Sequence, residues 1–393
     1  MTPAAGYPDL AVVGAGIVGA AAAYFAARAG LRVTVLDRGP VAGGTSGRGE
    51  GNLLVSDKEP GPELQLALLS QRVWREDLGT HAERWEYEPK GGLTVAASAA
   101  SAARLAALAR RQRACGVEAV DVPGEDLRSC EPHLAPGLAA GVYYPQDAQV
   151  QPVLATAHLL RLARRAGARV ETGTEVTGVL RDGARVTGVR TTRGRVPAGA
   201  VLNAAGPWAG EVAARAGVRL PVAPRRGFVL VTEPLPAGTV RHKVYAAEYV
   251  GDVASDSAAL ASSPVESTRA GTVLIGSTRE RVGFDATLSV PALRALTRGA
   301  VALFPALERV RALRAYCGFR PYCPDHLPVI GPGPRAPGLR HAAGHEGAGI
   351  GLAAGTGLLL AQALTGAAPE LDLAPFTPAR FGDGHPAAGP GPL

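Results

Sequence analysis

The glycine cluster Gly14-Ala15-Gly16-Ile17-Val18-Gly19 sets the tightest limit on what this chain folds into. A short apolar run, 9–13, precedes it. An Ala-rich helical stretch, 20–29, follows, and Gly30, a helix C-cap candidate, leads into a β-rich run at 31–36. Strand, helix and strand in so short a span form the unit of a parallel sheet. In a chain with 51 glycines the pattern alone decides little, but its place between a first strand and a first helix decides more. Asp37 stands 23 positions after Gly14, at the end of the second run. These are the parts of a dinucleotide site. Gly14 allows the tight turn, Gly16 lets the backbone approach a pyrophosphate and Gly19 allows close helix–strand packing. The helix N-terminus attracts phosphates and Asp37 reaches ribose hydroxyls. The unit itself does not separate NAD from FAD.

The remaining pattern implies an α/β protein. A length of 393 residues gives a soft expectation of two to three domains. Helical spacing marks 64–78, 102–114, 152–166, 291–303 and 347–364. Strand character marks 93–96, three runs within 169–205, and 339–343, while 228–232, 244–250 and 272–277 read as one sheet. The segment 317–330 reads as broken by prolines. The net charge of +7 comes almost wholly from arginine, since Lys58, Lys90 and Lys243 are the only lysines. No block of five basic residues supports a nucleic-acid partner. Cys115, Cys130, Cys317 and Cys323 form no CxxC pair, so neither a disulfide framework nor a metal site is expected. The first eight residues lack a basic n-region, which makes cytoplasmic the expected location. The apolar run 350–364 is too short and too rich in glycine to be read as a membrane span.

Four segments in order resemble one family. The glycine turn through Asp37 and Arg38, continued by Gly44-Thr45-Ser46-Gly47-Arg48-Gly49-Glu50-Gly51-Asn52, resembles the FAD-binding amine and amino-acid oxidoreductases of the D-amino-acid-oxidase superfamily. That group includes glycine oxidase, sarcosine oxidase and D-amino-acid dehydrogenase. There the Ser-Gly-Arg-Asn-x-Gly loop lies beside the flavin; here Gly49 replaces the Asn and Glu50 inserts an acid. Val201 to Trp208, with Ala205, Gly206 and Trp208, resembles the second FAD strand, and Val176 matches the position whose backbone meets adenine. Gly318-Phe319-Arg320-Pro321 followed by Asp325 to Gly331 resembles the Arg-Pro…Asp-x-x-Pro-x-Ile-Gly block. Gly344-His345-Glu346-Gly347-Ala348-Gly349-Ile350 resembles the closing glycine loop, whose helix end faces the flavin pyrimidine ring. The 49–52 and 344–347 segments are most similar to flavin subunits of D-hydroxyproline and opine dehydrogenases and of hydrogen cyanide synthase.

The resemblance implies a Rossmann-like FAD-binding domain (1–80, 152–220 and 325–380) interleaved with a substrate domain (81–151 and 221–324) built on a mixed, mostly antiparallel sheet. A disordered tail is expected at 382–393. It also implies oxidation of the C–N bond of a small amino or imino acid, by hydride loss from the neutral amine. Arg320 would hold the substrate carboxylate, as a planar guanidinium suits it. Tyr245 and Tyr249 fall on one face of a strand, and Tyr249 is the candidate for a substrate hydrogen bond. His345 has either a backbone or a side-chain role. Where some relatives attach flavin to a cysteine, this chain has Gly318, so FAD is expected to be non-covalent. Oxygen or another acceptor, and other dehydrogenase subunits, are the possible partners. An NAD-dependent enzyme, a flavin-binding subunit inactive alone and an RNA-modifying enzyme stand as alternatives.

Overall fold

The first strand, Leu10–Val13, is fully buried and divides its side chains between two cores. Leu10 and Val12 face a layer of helices; Ala11 and Val13 face the other side, as the two-residue period of a strand dictates. The computed structural model of the chain describes residues 6–247, 259–261 and 263–382. In it Leu10–Val13 lies within a six-stranded sheet. The order is Val329–Pro332, Leu339–Ala343, Ala200–Asn203, Leu10–Val13, Val33–Leu36 and Arg169–Glu171. All neighbours are parallel except the first two.

The helix after the glycine turn spans Ile17–Arg28, so it starts inside the motif and not after it. Half of its twelve residues are alanine, and two other helices approach it closely: Pro152–Arg165 and Gly349–Thr365. The helix Pro62–Arg75 closes the layer over Gly349–Thr365. Glu346–Thr365 is long and apolar enough to cross a membrane by length and composition alone, yet here it packs as a core helix, with Leu352 to Gly357 buried. The sequence region 169–205 holds five strands where three runs were read. The outer two join the parallel sheet. Val176–Asp182, Arg185–Thr191 and Gly194–Pro197 form a separate antiparallel sheet on its other face.

The second large sheet takes strands from 92–144 and 223–322, and among the described residues it has ten. The expected grouping of 228–232, 244–250 and 272–277 is seen in the strands Ala223–Pro234, Lys243–Ala246 and Thr272–Gly276. The segment 317–330, read as broken by prolines, begins inside the eleven-residue strand Ala312–Tyr322, which ends before Pro324, and reaches the next strand, Val329–Pro332. The strand Ala312–Tyr322 pairs with Ala223–Pro234 from Ala223↔Tyr322 to Thr232↔Ala312. Pro321 is tolerated because, among the described residues, this strand pairs on one side only, with Pro321 opposite Pro224; an edge strand can lack an N–H. Tyr249 and, apart from Gly382, the expected tail lie outside the described residues.

The contact between Gly349–Thr365 and Ile17–Arg28 yields a stability prediction. In an open helix Gly→Ala gains about 1 kcal/mol. At Gly357 a Cβ would sit 2.7 Å from the carbonyl carbon of Ala21. Overpacking, at about 1–3 kcal/mol, therefore wins. Gly357→Ala should lower the urea midpoint, and an unchanged or higher midpoint would show that the two backbones are not in contact.

Candidate functional site

A continuous cleft opens where the parallel strands end, between the six-stranded sheet and the larger one. Gly14, Gly16, Ile17 and Val18 of the first turn line it, followed by Asp37 and Arg38. Thr45, Ser46, Gly51 and Asn52 come from the glycine loop, and Val176, Ala205, Gly206 and Trp208 from the neighbouring strand ends. Arg320 lies opposite His345, Gly347, Gly349 and Ile350. Three candidates stand behind the lining. Ala15 is wholly buried and donates its N–H to Asp37 Oδ2 (2.7 Å). Gly19 packs on Gly14, whose oxygen would lie 2.0 Å from an added Cβ. Gly344, at φ +74°, turns the chain against Cys323.

The nucleotide end is built by short local contacts. Asp37 also accepts the Gly39 N–H on Oδ1 (2.7 Å), which shapes the turn after the second strand. Ser46 Oγ accepts the Ile17 N–H (2.9 Å) at the start of the helix. Thr45 Oγ1 donates to the Phe319 carbonyl (2.5 Å) and joins the glycine loop to the long edge strand. Asn203, fully buried, holds the Ala205–Trp208 turn by donating to the Ala209 carbonyl (2.8 Å) and accepting the Ala205 N–H (3.3 Å). The Trp208 ring lies between the Arg38 guanidinium (4.4 Å) and the Phe284 ring, which stacks on it at 4.9 Å. The Val176 carbonyl accepts from Arg215, which also lines the cleft.

The other end is charged, and three glycines make room for the charges. Arg320 Nη1 donates to the Thr278 carbonyl (2.8 Å) and Nη2 to Ser277 Oγ. A Cβ on Gly227 would lie 2.2 Å from Arg320 Nη1. One on Gly276 would lie 2.1 Å from Glu50 Oε1, and one on Gly318 would lie 2.7 Å from the Arg48 Cβ. Gly227 and Gly318 face each other across the paired strands. Glu50 accepts from Asn52 Nδ2 (2.9 Å) and pairs with Lys243 Nζ (3.2 Å), which also pairs with Glu266 (3.2 Å). Burial opposes ionisation of Glu50, yet Lys243 and Arg320 hold it below the usual carboxylate range. Burial pushes Glu266 up to about 7, against the pull of Lys243. Glu346, at the mouth of the last glycine loop, accepts from His326 Nδ1 (2.9 Å) and the Cys323 N–H (3.3 Å) and lies 3.7 Å from Arg225. Sequence reading noted Glu50 only as a departure and passed over Lys243 and Glu266. The available signals were an acid inside a glycine loop and a lysine in a chain where arginine supplies nearly every cation.

His345 points its ring away from this cluster. Nε2 is 3.0 Å from Thr356 Oγ1 inside the last helix, and burial lowers its pKa to about 3. Tyr245 is fully buried and donates to Ser56 Oγ (2.5 Å), so it belongs to the core and not to the cleft lining.

A glycine turn at the head of a parallel sheet, an acid at the next strand end and a second sheet across the cleft define a dinucleotide-binding oxidoreductase fold. The profile of the FAD dependent oxidoreductase family, DAO, matches residues 9–363, and the chain belongs to that family. It is 32% identical over 381 residues to a glycine oxidase of Pseudomonas aeruginosa, covering 94% of this chain and 98% of that one. It is 36% identical over 259 residues to the hydrogen cyanide synthase subunit HcnC of the same species, covering 65% of this chain. The chain spans 58% of the length of that subunit. The crystal structure of glycine oxidase from Geobacillus kaustophilus superposes with a TM-score of 0.85 at 29% identity, covering 95% of this chain and 99% of that one. That of L-proline dehydrogenase from P. horikoshii superposes at 0.88 and 24% identity, covering 95% and 98%, which shows the shared fold.

FAD is the cofactor of the family, and the residues present fit it. Gly14 (φ +117°) and Gly51 (φ +94°) let the chain turn beside the cleft where a Cβ would strike Ala204 O at 2.4 Å and Val150 O at 1.8 Å. Among the described residues no side chain caps the Gly349–Thr365 helix, and its opening residues line the cleft, so its N–H groups would suit the anionic part of a bound flavin.

His345 supplies a pH test. Its folded pKa lies far below the ordinary 6.5, so below that value the unfolded chain binds more protons than the folded one. Its contribution is full above pH 6.5 and is lost as pH falls toward 3. His345→Asn should therefore show a shallower fall of Tm between pH 7 and 5 than the wild type. Equal slopes would place the imidazole in water.

Proposed function

We propose that the chain oxidises the C–N bond of a small amino or imino acid to an imine, with the substrate carboxylate on Arg320. The observation that carries this is Arg320 itself: a cation in the cleft wall, fixed from behind by Ser277 and Thr278 and facing the last glycine loop. FAD, when bound, supplies the acceptor for two electrons. The chain's own contribution is to place the substrate. The Arg320 fork suits a carboxylate bidentately, and its fixed orientation sets where the adjoining carbon lies. Residues 344–350 act through backbone N–H groups, while the His345 ring, turned into the core, anchors the loop. Similarity to glycine oxidase, and at 27% identity to a D-amino acid dehydrogenase of Xanthobacter autotrophicus, supports an amino-acid substrate. Similarity to a hydrogen cyanide synthase subunit favours a second reading, in which partner subunits are needed to pass the electrons on.

An anaerobic screen of D-amino acids, imino acids and N-methyl amino acids, scored by flavin bleaching, tests the proposal. Bleaching by the chain alone supports catalysis without partners; no bleaching by any of them would remove the amino-acid reading. FAD is proposed to be non-covalent, because no cysteine is among the described lining residues. Acid denaturation should leave the flavin in the supernatant, and flavin in the pellet would refute this. Arg320→Ala should weaken binding of a carboxylated substrate by about 2–5 kcal/mol. Arg320→Lys should recover only part, since one ammonium does not reproduce the fork. Both should retain a normal flavin spectrum, and an unchanged KM in Arg320→Ala would overturn the assignment.

A further inference from the structure

A carboxylate held by Arg320 would change the electrostatics of the acids described beside it. Lys243 is 2% exposed and shared by two acids, Glu50 and Glu266, at 3.2 Å each. Lys243 is the ammonium that both acids bond, and Lys90 acts on Glu266 as well. Arg320 is the further cation that acts on Glu50. When a substrate carboxylate pairs with Arg320, that compensation is drawn away, and an uncompensated buried charge is costly.

Glu50 is the acid of the pair that lines the cleft; Glu266 lies behind it, 1% exposed. Glu50 Oε2 is taken by Asn52 and Lys243, whereas Oε1 is buried with no hydrogen-bond partner among the described residues. That oxygen lies against Gly276, and the next two residues, Ser277 and Thr278, are the ones that hold Arg320. The guanidinium and the carboxylate thus rest against adjoining residues, 276–278, and both belong to residues that line the cleft. A buried acceptor without a donor costs stability until a ligand supplies one.

From this we propose that Glu50 is the anchor for the substrate nitrogen, so that the site takes an amino acid as a zwitterion, carboxylate on Arg320 and ammonium on Glu50. The inference rests on the amino-acid reading above and adds the group that reads the amine. Among the described residues, Asn52 and Lys243 bind Oε2, Gln149 donates to the Glu50 backbone carbonyl, and burial, reinforced by both acids, pushes the Tyr316 hydroxyl up.

Flavin-monitored titration of the holoprotein at pH 7.5 with two unreactive ligands tests this. 2-Methylalanine carries amine and carboxylate but no α-hydrogen; 2,2-dimethylpropanoate has nearly the same shape without the amine. The wild type should bind the amino ligand at least about tenfold more tightly, a tenfold ratio being about 1.4 kcal/mol. Glu50→Gln should lose that preference while binding the plain carboxylate no worse. The substitution leaves Lys243 paired one to one with Glu266, so the fold is expected to persist. Should the variant fail to hold flavin, the wild-type preference still decides. Equal binding of the two ligands by the wild type, or an undiminished preference in Glu50→Gln, would overturn the role of Glu50 and leave the carboxylate site standing. Binding of neither ligand by the wild type would overturn both.

Discussion

Everything at the nucleotide end depends on a contact between backbones that no side chain could share. Gly19 lies directly on the Gly14 carbonyl, and Gly14 lies on Ala204 at the head of the neighbouring strand. A Cβ at either place would push the Ile17–Arg28 helix off the sheet. The alanines of that helix continue the same requirement, because Pro152–Arg165 and Gly349–Thr365 come close enough for Gly357 to touch the Ala21 backbone. Close packing here turns the helix N-terminus toward the cleft, where its positive end suits a phosphate group.

At the other end the same device holds charge instead of backbone. Gly227, Gly276 and Gly318 lie beneath Arg320, Glu50 and Arg48. Side chains at these three positions would fill the space that the charged groups use to reach the cleft. The pairing of Ala223–Pro234 with Ala312–Tyr322 sets two of these glycines opposite each other, and Gly276 joins from the strand on the other side. The wall is therefore polar by arrangement of the sheet, although most of the surrounding strand residues are apolar.

Burial gives the ionisable groups of the site opposite tendencies. Glu50 stays charged because Lys243 and Arg320 outweigh its desolvation, whereas Glu266, buried and outside the cleft lining, is pushed up to about 7. His345 and His341 are kept neutral by burial alone. Charge is thus concentrated where a substrate would meet it and removed from the loop that supports it.

The local elements were legible because they rest on neighbours in sequence. The glycine turn with Asp37, the helix opened by Pro152 and the closing glycine loop each announce themselves through backbone demands that few residues meet. The resemblance of four ordered segments then carried the cofactor and Arg320. What the chain order could not show is which distant charges meet. Glu50 and Lys243 are 193 positions apart, and Arg320 and Ser277 are 43 apart. The edge position that admits Pro321 into a strand, and the core contact that turns His345 inward, are likewise properties of partners across the fold. Sequence by itself determined where backbone must bend and approach closely, since that depends on a residue's own shape. The tertiary structure alone decided which side chains face the cleft and what charge they carry there, since both depend on burial and on neighbours brought from elsewhere in the chain.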